Sequence, residues 1–244
     1  MQKSNTLIFI PTYNEVENVE KIFNEIKALN LGNDMLFLDD NSPDGTGKVI
    51  DAIAQNNPNV FTIHRTDKQG IGSAHQVGIN WAYEHHYDVL VTMDCDFTHS
   101  PSYIIDFIKL SDKANIVVGS RYMQKDSLAT WNLFRKFLTY LGHFLTVNML
   151  NMPYDASGAF RLYNLKKINN KLFQLITSKG YSFFFESLFI LNYNKMKIAE
   201  IPIDLPSRTY GTSKMTWKDV FKSFGLLIKL LNRKLFDKNS LLLK

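Results

Sequence analysis

The chain contains 244 residues, of which 45% are hydrophobic and 21% charged, so its composition excludes a disordered protein and suits one domain with a substantial core. A single cysteine, Cys95, excludes a disulfide framework within the chain and fits a reducing compartment. The net charge of +5 arises from the C-terminal part, where nine basic and two acidic residues lie between Arg208 and Lys244. Such a basic segment can meet nucleic acid, a protein partner or an anionic membrane surface.

The first 120 residues alternate short apolar runs with amphipathic stretches. We predict buried strands at Thr6–Ile10, Met35–Leu38, Val60–His64, Val89–Met93 and Ile116–Val118. Helices are predicted between them, near Glu15–Leu29, Thr46–Gln55, Ser73–His86 and Ser102–Leu110. This alternation predicts an α/β fold with a mainly parallel sheet covered by helices on both faces.

The pattern changes after Gly119. Helical spacing predicts a long helix at Trp131–Leu150 and further helices at Leu165–Ile176 and Ser182–Tyr193. A short strand at Ile201–Leu205 and a polar loop at Ser207–Ser213 follow, and the final helix is predicted at Trp217–Phe236. The final helix is basic and amphipathic, a type that lies in a membrane interface or packs its apolar stripe on the protein body. The N-terminus does not read as a secretory signal, and no run reaches the ~18 apolar residues of a membrane span.

Polar clusters follow four successive predicted strands. The first strand ends in Pro11-Thr12-Tyr13-Asn14-Glu15, and the second ends in Asp39-Asp40-Asn41-Ser42-Pro43-Asp44-Gly45-Thr46. Arg65 and Lys68 follow the third. Each cluster taken alone is typical of turns and helix caps, but together they predict one binding edge, where open α/β sheets bind ligands.

The fourth cluster, Asp94-Cys95-Asp96, is the most informative one. Two carboxylates at a strand end are hard oxygen ligands for Mg²⁺ or Mn²⁺, which keep several waters and bind substrate phosphates. An isolated pair of this kind is also common as a solvated strand end. Among the histidines, which we interpret as surface or packing residues, His99 beside this pair is the exception.

These strings resemble family 2 glycosyltransferases of GT-A fold, specifically the dolichol-phosphate mannosyltransferase group and its bacterial polyprenyl-phosphate relatives. The matching strings are PTYNE, DDNSPDGT, MDCDFTHSP, GSRY, DASGAFRLY and EIPIDLPSRTYGTSKM, in the family's order over nearly the whole chain. The resemblance implies a catalytic domain over residues 1–213 and a basic amphipathic helix and tail over residues 214–244.

The resemblance also implies a role for each matching residue. The nucleotide and its diphosphate would be bound by Pro11, Tyr13, Glu15, Asp39, Asp40, Lys68 and Asp94. Asp94 and Asp96 would hold the metal, while Thr98 replaces the Gln of some relatives and is a doubtful third ligand. Catalysis would depend on Asp96 and on cations around the phosphates, Arg121, Arg135, Arg208 and Lys214.

The implied reaction is inverting, metal-dependent transfer of a hexose from a nucleotide sugar to a polyprenyl phosphate. GDP-mannose is the favoured donor, and a UDP-sugar is the other candidate. A phosphate monoester is largely dianionic at neutral pH, because its second pKa is about 6. Such an acceptor requires cations rather than a strong general base.

The main alternative is a family 2 enzyme that transfers sugar from a UDP-sugar to a saccharide hydroxyl. That reaction would use a carboxylate base, for which Glu186 and Asp155 are candidates. Otherwise we expect Glu186, in a very apolar string, to pair with a cation near the acceptor or to face solvent.

A nucleic-acid-binding protein is not expected, because the basic tail matches no recognised binding motif. The resemblance instead implies a peripheral protein on the cytoplasmic face of a membrane. Its partners would be the membrane surface, polyprenyl phosphate and, in one version, a membrane-anchoring subunit.

Overall fold

The computed structural model describes residues 5–206 and 216–243. Seven strands are present: β1 Thr6–Thr12, β2 Asp34–Asp39, β3 Val60–His64, β4 Val89–Thr92, β5 Ile116–Ser120, β6 Arg161–Asn164 and β7 Ile198–Pro202. The α-helices are α1 Val19–Ala28, α2 Thr46–Asn56, α3 Ile71–Glu84, α4 Ile104–Leu110, α5 Leu133–Leu150, α6 Lys171–Gln174, α7 Phe183–Tyr193 and α8 Trp217–Phe236. Short 3₁₀ turns occupy Pro101–Tyr103 and Lys238–Leu241.

The strands form one sheet in the order β3-β2-β1-β4-β6-β5-β7. β6 runs antiparallel to both of its neighbours, whereas the other described pairs are parallel. The remaining six strands therefore point the same way, and their C-terminal ends share one edge of the sheet. The predicted α/β fold with a mainly parallel sheet is confirmed.

Side chains alternate between the two faces of the sheet, as the period of a strand requires. Leu7 and Phe9 of β1 belong to one buried hydrophobic cluster, and Ile8 and Ile10 belong to the other. Helices α3 and α7 cover the first face, whereas α1, α2 and α4 cover the second. Both faces are buried, which explains why the strands read as continuous apolar runs.

The five strands predicted in the first 120 residues are present, but β6 was not predicted. Its four residues include Arg161 and Asn164, so it lacks the apolar pattern of a buried strand. Its backbone groups are hydrogen-bonded by pairing with β4 on one side and β5 on the other, with Thr92 of β4 opposite Arg161. The predicted strand at Ile201–Leu205 is shifted to Ile198–Pro202, beside β5.

The predicted helix at Leu165–Ile176 is mostly wrong, because only Lys171–Gln174 is helical. The Asn169 side chain accepts a hydrogen bond from the Lys171 backbone (3.0 Å), and such local bonding by asparagine competes with a continuous helix. Similarly, α5 begins at Leu133 rather than Trp131, because the Asn132 side chain caps it.

Helix α8 has the predicted bounds, and its Leu227 and Leu230 are buried in the first hydrophobic cluster. The predicted loop Ser207–Ser213 and the predicted domain boundary at residue 213 lie outside the described residues. None of the helices in the described ranges combines the length and the apolarity that a membrane crossing demands.

Candidate active site

The predicted site residues within the described ranges lie along the shared edge of the sheet or just beyond it. β1 ends near Pro11 and leads into Tyr13 and Glu15, and Asp39 and Asp40 lie at the end of β2. Lys68 follows β3, Asp94 and Asp96 follow β4, and Arg121 follows β5. In an open α/β sheet this edge forms the ligand-binding crevice.

The two carboxylates at the end of β2 are bonded within the protein. Asp39 accepts hydrogen bonds from the Ser42 backbone (2.9 Å) and the Thr12 hydroxyl (3.1 Å). Asp40 forms an ion pair with Arg65, and each side chain is only 7% exposed. Burial raises the pKa of Asp40, although the guanidinium of Arg65 acts in the opposite direction. These groups therefore shape the wall of the crevice.

Lys68 and Tyr13 meet across the mouth of this side of the crevice. The Lys68 Nζ lies 4.1 Å from the centre of the Tyr13 ring, a cation–π contact between segments that follow different strands. Glu15 lies beside them in sequence and accepts a hydrogen bond from the Asn18 side chain (2.7 Å). The structure thus brings together Tyr13 and Lys68, which the sequence placed on separate loops.

The Asp pair after β4 contains one buried and one accessible carboxylate. Asp96 is 4% exposed, and its Oδ1 accepts hydrogen bonds from the Thr98 hydroxyl (2.6 Å) and the Thr98 backbone (3.2 Å). The Asp94 side chain is 32% exposed. His99 accepts a hydrogen bond from the Asp94 backbone (3.1 Å) and stacks on Phe160, so it positions the pair.

This donor set fits a hard divalent cation. Asp94 and Asp96 are the residues that could hold Mg²⁺ or Mn²⁺, since two carboxylates leave room for waters and phosphate oxygens. Within the described ranges, no group of three or more His, Cys, Asp or Glu side chains forms an all-protein metal site. The Thr98 hydroxyl is engaged by Asp96 and orients that carboxylate.

Arg121 is buried at the other side of the crevice and is held by Asp155. Its backbone N–H and its Nε both donate to Asp155 Oδ2, at 3.0 and 2.7 Å. Asp155 is 1% exposed, so this pair is shielded from water. Burial acts to lower the pKa of Arg121, but the charges of Asp155, Tyr122 and Asp94 outweigh that effect. The pKa of Arg121 is therefore raised. Asp94 of the pair after β4 is among the charges that act on Arg121.

Trp131 brings two of the predicted cations together, a role that sequence reasoning missed. The guanidinium carbons of Arg135 and Arg121 lie 3.4 and 5.9 Å from the centre of its ring. The indole Nε1 donates to the Leu205 carbonyl (3.0 Å), which fixes the ring. A tryptophan between two arginines in sequence has no distinctive pattern, so only the fold reveals this cation cluster. Arg208 and Lys214 lie outside the described residues.

The predicted solvent-facing position of Glu186 was wrong, whereas a pairing with Arg208 or Lys214 falls outside the described residues. Glu186 is fully buried, and its carboxylate accepts hydrogen bonds from the Thr177 backbone and hydroxyl and from the Ser178 backbone, at 2.8 to 3.1 Å. No basic side chain in the described part of the chain forms an ion pair with it. The hydrogen bonds from the uncharged N–H and O–H groups of these two neighbouring residues offset the cost of burying the carboxylate.

Comparison with known proteins adds three sets of findings. Residues 7–183 match the model of the family described as Glycosyl transferase family 2. An undecaprenyl-phosphate mannosyltransferase from Micrococcus luteus is 34% identical over 211 residues, which cover 86% of this chain and 87% of that protein. A polyprenol monophosphomannose synthase from Mycolicibacterium smegmatis is 32% identical over 218 residues, which cover 88% and 82%.

Solved structures share the fold at lower identity. Mannosyl-3-phosphoglycerate synthase from Rubrobacter xylanophilus superposes with a TM-score of 0.65 at 17% identity, covering 96% of this chain and 74% of that one. A mannosyltransferase from Pyrobaculum calidifontis, in complex with GDP-Man and Mn²⁺, superposes with a TM-score of 0.53 at 16% identity. The match covers 84% of this chain and 58% of that one. These similarities confirm the predicted GT-A type of fold.

Proposed function

We propose that this chain, which belongs to glycosyl transferase family 2, transfers a mannosyl residue from GDP-mannose to a polyprenyl phosphate. The chain is a glycosyltransferase, and both curated relatives are named for attaching mannose to a polyprenyl carrier. In the proposed reaction an acceptor phosphate oxygen bonds to the anomeric carbon as the bond to GDP breaks. Attack from the opposite face inverts the configuration of that carbon.

The bonding of Asp155 and Glu186 is the observation that best supports a phosphate acceptor. A saccharide hydroxyl would require a carboxylate base, and these two were the candidates. Asp155 is bonded to Arg121, and Glu186 is bonded to Thr177 and Ser178. A dianionic phosphate requires cations instead, and Arg121 and Arg135 cluster on Trp131.

The donor diphosphate would lie between this cation cluster and the Asp pair. We assign Asp94 and Asp96 to a Mg²⁺ or Mn²⁺ ion, which would neutralise negative charge on the departing diphosphate. Arg121, close enough to Asp94 for their charges to interact, would bind phosphate oxygens with its guanidinium. The Mn²⁺ and GDP-Man bound to the Pyrobaculum enzyme, which shares the fold, are compatible with this assignment.

A second surface supports binding to a membrane. Helices α5 and α8 pack together, with the rings of Phe134 and Trp217 5.8 Å apart. Both helices expose large apolar side chains, namely Leu133, Phe134, Phe137, Tyr140, Leu141, Phe144, Trp217, Phe221, Phe224, Ile228, Leu235 and Phe236. We call these twelve residues the aromatic surface. Contiguous exposed apolar side chains mark sites of interaction with proteins or membranes, and the spacing of these residues along each helix favours such a patch.

The charge near the aromatic surface suits an anionic membrane. Lys218, Lys222 and Lys229 of α8 are exposed, and each basic residue near an anionic surface contributes about 1 kcal/mol of attraction. We propose that this surface lies in the cytoplasmic membrane interface, where a polyprenyl phosphate would be reached. A separate membrane-anchoring subunit would occupy the same surface in an alternative arrangement.

The test is transfer from radiolabelled nucleotide sugars to a polyprenyl phosphate in detergent. GDP-mannose should give a labelled phospholipid product with added Mg²⁺ or Mn²⁺, whereas chelation should abolish it. The matched control acceptor is the polyprenol without phosphate, which should remain unlabelled. Nuclear magnetic resonance of the product should show the anomeric configuration opposite to that of the donor.

Other outcomes would change the proposal at defined points. Transfer from a UDP-sugar alone would replace the donor but keep the acceptor. Transfer to a saccharide hydroxyl, with none to polyprenyl phosphate, would contradict the proposed acceptor. Full activity in chelator would contradict the metal assignment.

A further inference from the structure

A line of two carboxylates leads from β7 to Arg121. Glu200 lies in β7 opposite Val118 of β5, and its Oε1 accepts a hydrogen bond from the Asp155 backbone N–H (2.7 Å). Asp155 in turn accepts from the backbone N–H and the Nε of Arg121. The three groups therefore connect the sheet, the loop before β6 and the cation at the end of β5.

The bonds leave one part of the guanidinium available. Asp155 engages the Nε of Arg121, while no described residue accepts a hydrogen bond from its two terminal nitrogens. A Cβ at Gly158 would lie only 3.4 Å from Nη2, so the glycine leaves space beside this end of the guanidinium. An arginine loses considerable rotamer freedom when it is fixed, and here the carboxylate has already fixed it.

We infer that Asp155 and Glu200 are positioning residues that hold the Arg121 guanidinium so that its terminal nitrogens bind a phosphate group of the substrates. The role assigned to Arg121 rests on the proposed function, whereas the arrangement of the two carboxylates does not. Asp155 acts directly on Arg121, and Glu200 acts on Asp155 through the backbone. Neither carboxylate touches the reacting atoms.

Alternative explanations fit the geometry less well. A general base requires an accessible carboxylate, but Asp155 is 1% exposed and is bonded to a cation. A purely structural ion pair would not require the same oxygen to bind both the backbone and the side chain of Arg121. Because both bonds end on Oδ2, the carboxylate sets the direction of the side chain relative to β5.

A double-mutant cycle between Asp155 and Arg121 tests the inference. Asp155→Ala should lower kcat/KM about a hundredfold, the size of effect expected when a catalytic group is misplaced by about 1 Å. Asp155→Asn, which keeps one acceptor oxygen, should cause a smaller loss. In an Arg121→Ala background neither substitution should lower activity further by more than about twofold. Single-turnover assays at high enzyme concentration keep these low rates measurable.

The matched control is Asp34, another buried carboxylate. Asp34 is 6% exposed and accepts a hydrogen bond from the Tyr87 hydroxyl (2.6 Å) at the opposite edge of the sheet. Asp34→Asn should lower the melting temperature without changing the kcat/KM of the folded protein. If the effects of Asp155 and Arg121 substitutions instead multiply, Asp155 does not act through Arg121 and the inference is wrong.

A second measurement does not depend on turnover. In ¹⁵N-labelled protein the Nε–H of Arg121, assigned by its loss in Arg121→Lys, should be protected from solvent exchange. Asp155→Asn should reduce that protection, and Asp155→Ala should remove it. Unchanged protection in a folded Asp155→Ala variant would overturn the inference even if the wild-type enzyme used another acceptor. Absence of transfer to polyprenyl phosphate would contradict only the proposed function.

Glu200 supplies the last arm of the test. Glu200→Gln keeps an oxygen that can accept the Asp155 N–H, so kcat/KM should stay within about threefold of wild type, since a neutral hydrogen bond is retained. Glu200→Ala removes the acceptor and should cause about a tenfold loss that disappears in the Arg121→Ala background. Equal losses for Gln and Ala would show that Glu200 has a different role.

Discussion

The two sides of the crevice use buried charges differently. At the end of β2, Asp40 and Arg65 bind each other, and both partners belong to the wall of the site. Beyond β5, Asp155 binds the Nε of Arg121 and leaves the terminal nitrogens without an acceptor among the described residues. Both pairs are buried salt bridges, and in the proposed function the terminal nitrogens of Arg121 would bind a phosphate group of the substrates. We therefore expect the Asp40–Arg65 pair to contribute mainly to stability and the Asp155–Arg121 pair to contribute to substrate binding.

The largest effect should come from the Asp pair between these two regions. Asp96→Asn keeps an oxygen to accept the Thr98 hydrogen bonds but removes the charge that would hold a metal. If the metal stabilises the transition state by about 4 kcal/mol, losing it lowers kcat about a thousandfold. The melting temperature should change little. Asp106→Asn, which breaks an exposed pair with Lys109, is the matched control.

Substitutions of Arg121 test the side of the crevice where we propose that a phosphate group binds. Arg121→Ala should lower kcat/KM about a hundredfold, which is typical when a preorganised charge donor is removed. Arg121→Lys should recover only part of this loss, because an ammonium cannot form the fork that binds Asp155 and phosphate together. Full recovery with Lys would show that charge without geometry is sufficient.

Asp40 tests the side whose charges bind each other. Asp40→Asn leaves the buried Arg65 without its counter-ion and should lower the free energy of unfolding by about 3 kcal/mol. Urea unfolding of both proteins gives this difference. Replacing Arg65 by Met as well should recover much of the stability, since no isolated charge is left behind. If the single variant loses only activity, the contrast drawn between the two sides is wrong.

Buried His75, in the interior of the protein, tests how stability depends on pH. Burial, with smaller effects of Arg161 and His99, lowers its pKa from 6.5 to about 3. The unfolded chain therefore binds a proton below pH 6.5 that the folded protein excludes. Stability from this group is complete above pH 6.5 and falls as the pH is lowered, by about 2 kcal/mol at pH 5.

Urea midpoints at pH 7.5 and pH 5 measure this loss. In His75→Gln the titrating group is absent, so the difference between the two pH values should shrink by that amount. The same pH dependence in wild type and variant would assign the effect to other groups.

The smallest effect concerns the aromatic surface. Phe221 is 74% exposed, so Phe221→Ser should leave stability unchanged but weaken binding to anionic vesicles by about 1.5 kcal/mol. Co-sedimentation at low and high salt separates apolar insertion from charge attraction, because salt screens only the latter. Val16→Ser, at an exposed apolar residue between β1 and α1, is the control. Equal binding of wild type and Phe221→Ser would favour a protein partner at α8.

The strand ends illustrate what the sequence by itself determined. Apolar runs followed by polar clusters were sufficient to predict five strands, the mainly parallel sheet and the edge where Asp94, Asp96 and Arg121 lie. These features are local, because strand period and turn chemistry are written in neighbouring residues.

Tertiary structure alone decided how the charges are paired. Asp155 was a candidate base in sequence and is a partner of Arg121 in the fold, 34 positions away. Glu186 accepts hydrogen bonds from Thr177, and β6 pairs with both β4 and β5. Trp131 became the meeting point of two arginines. Each outcome depends on distances between segments remote in sequence, which local propensity does not encode.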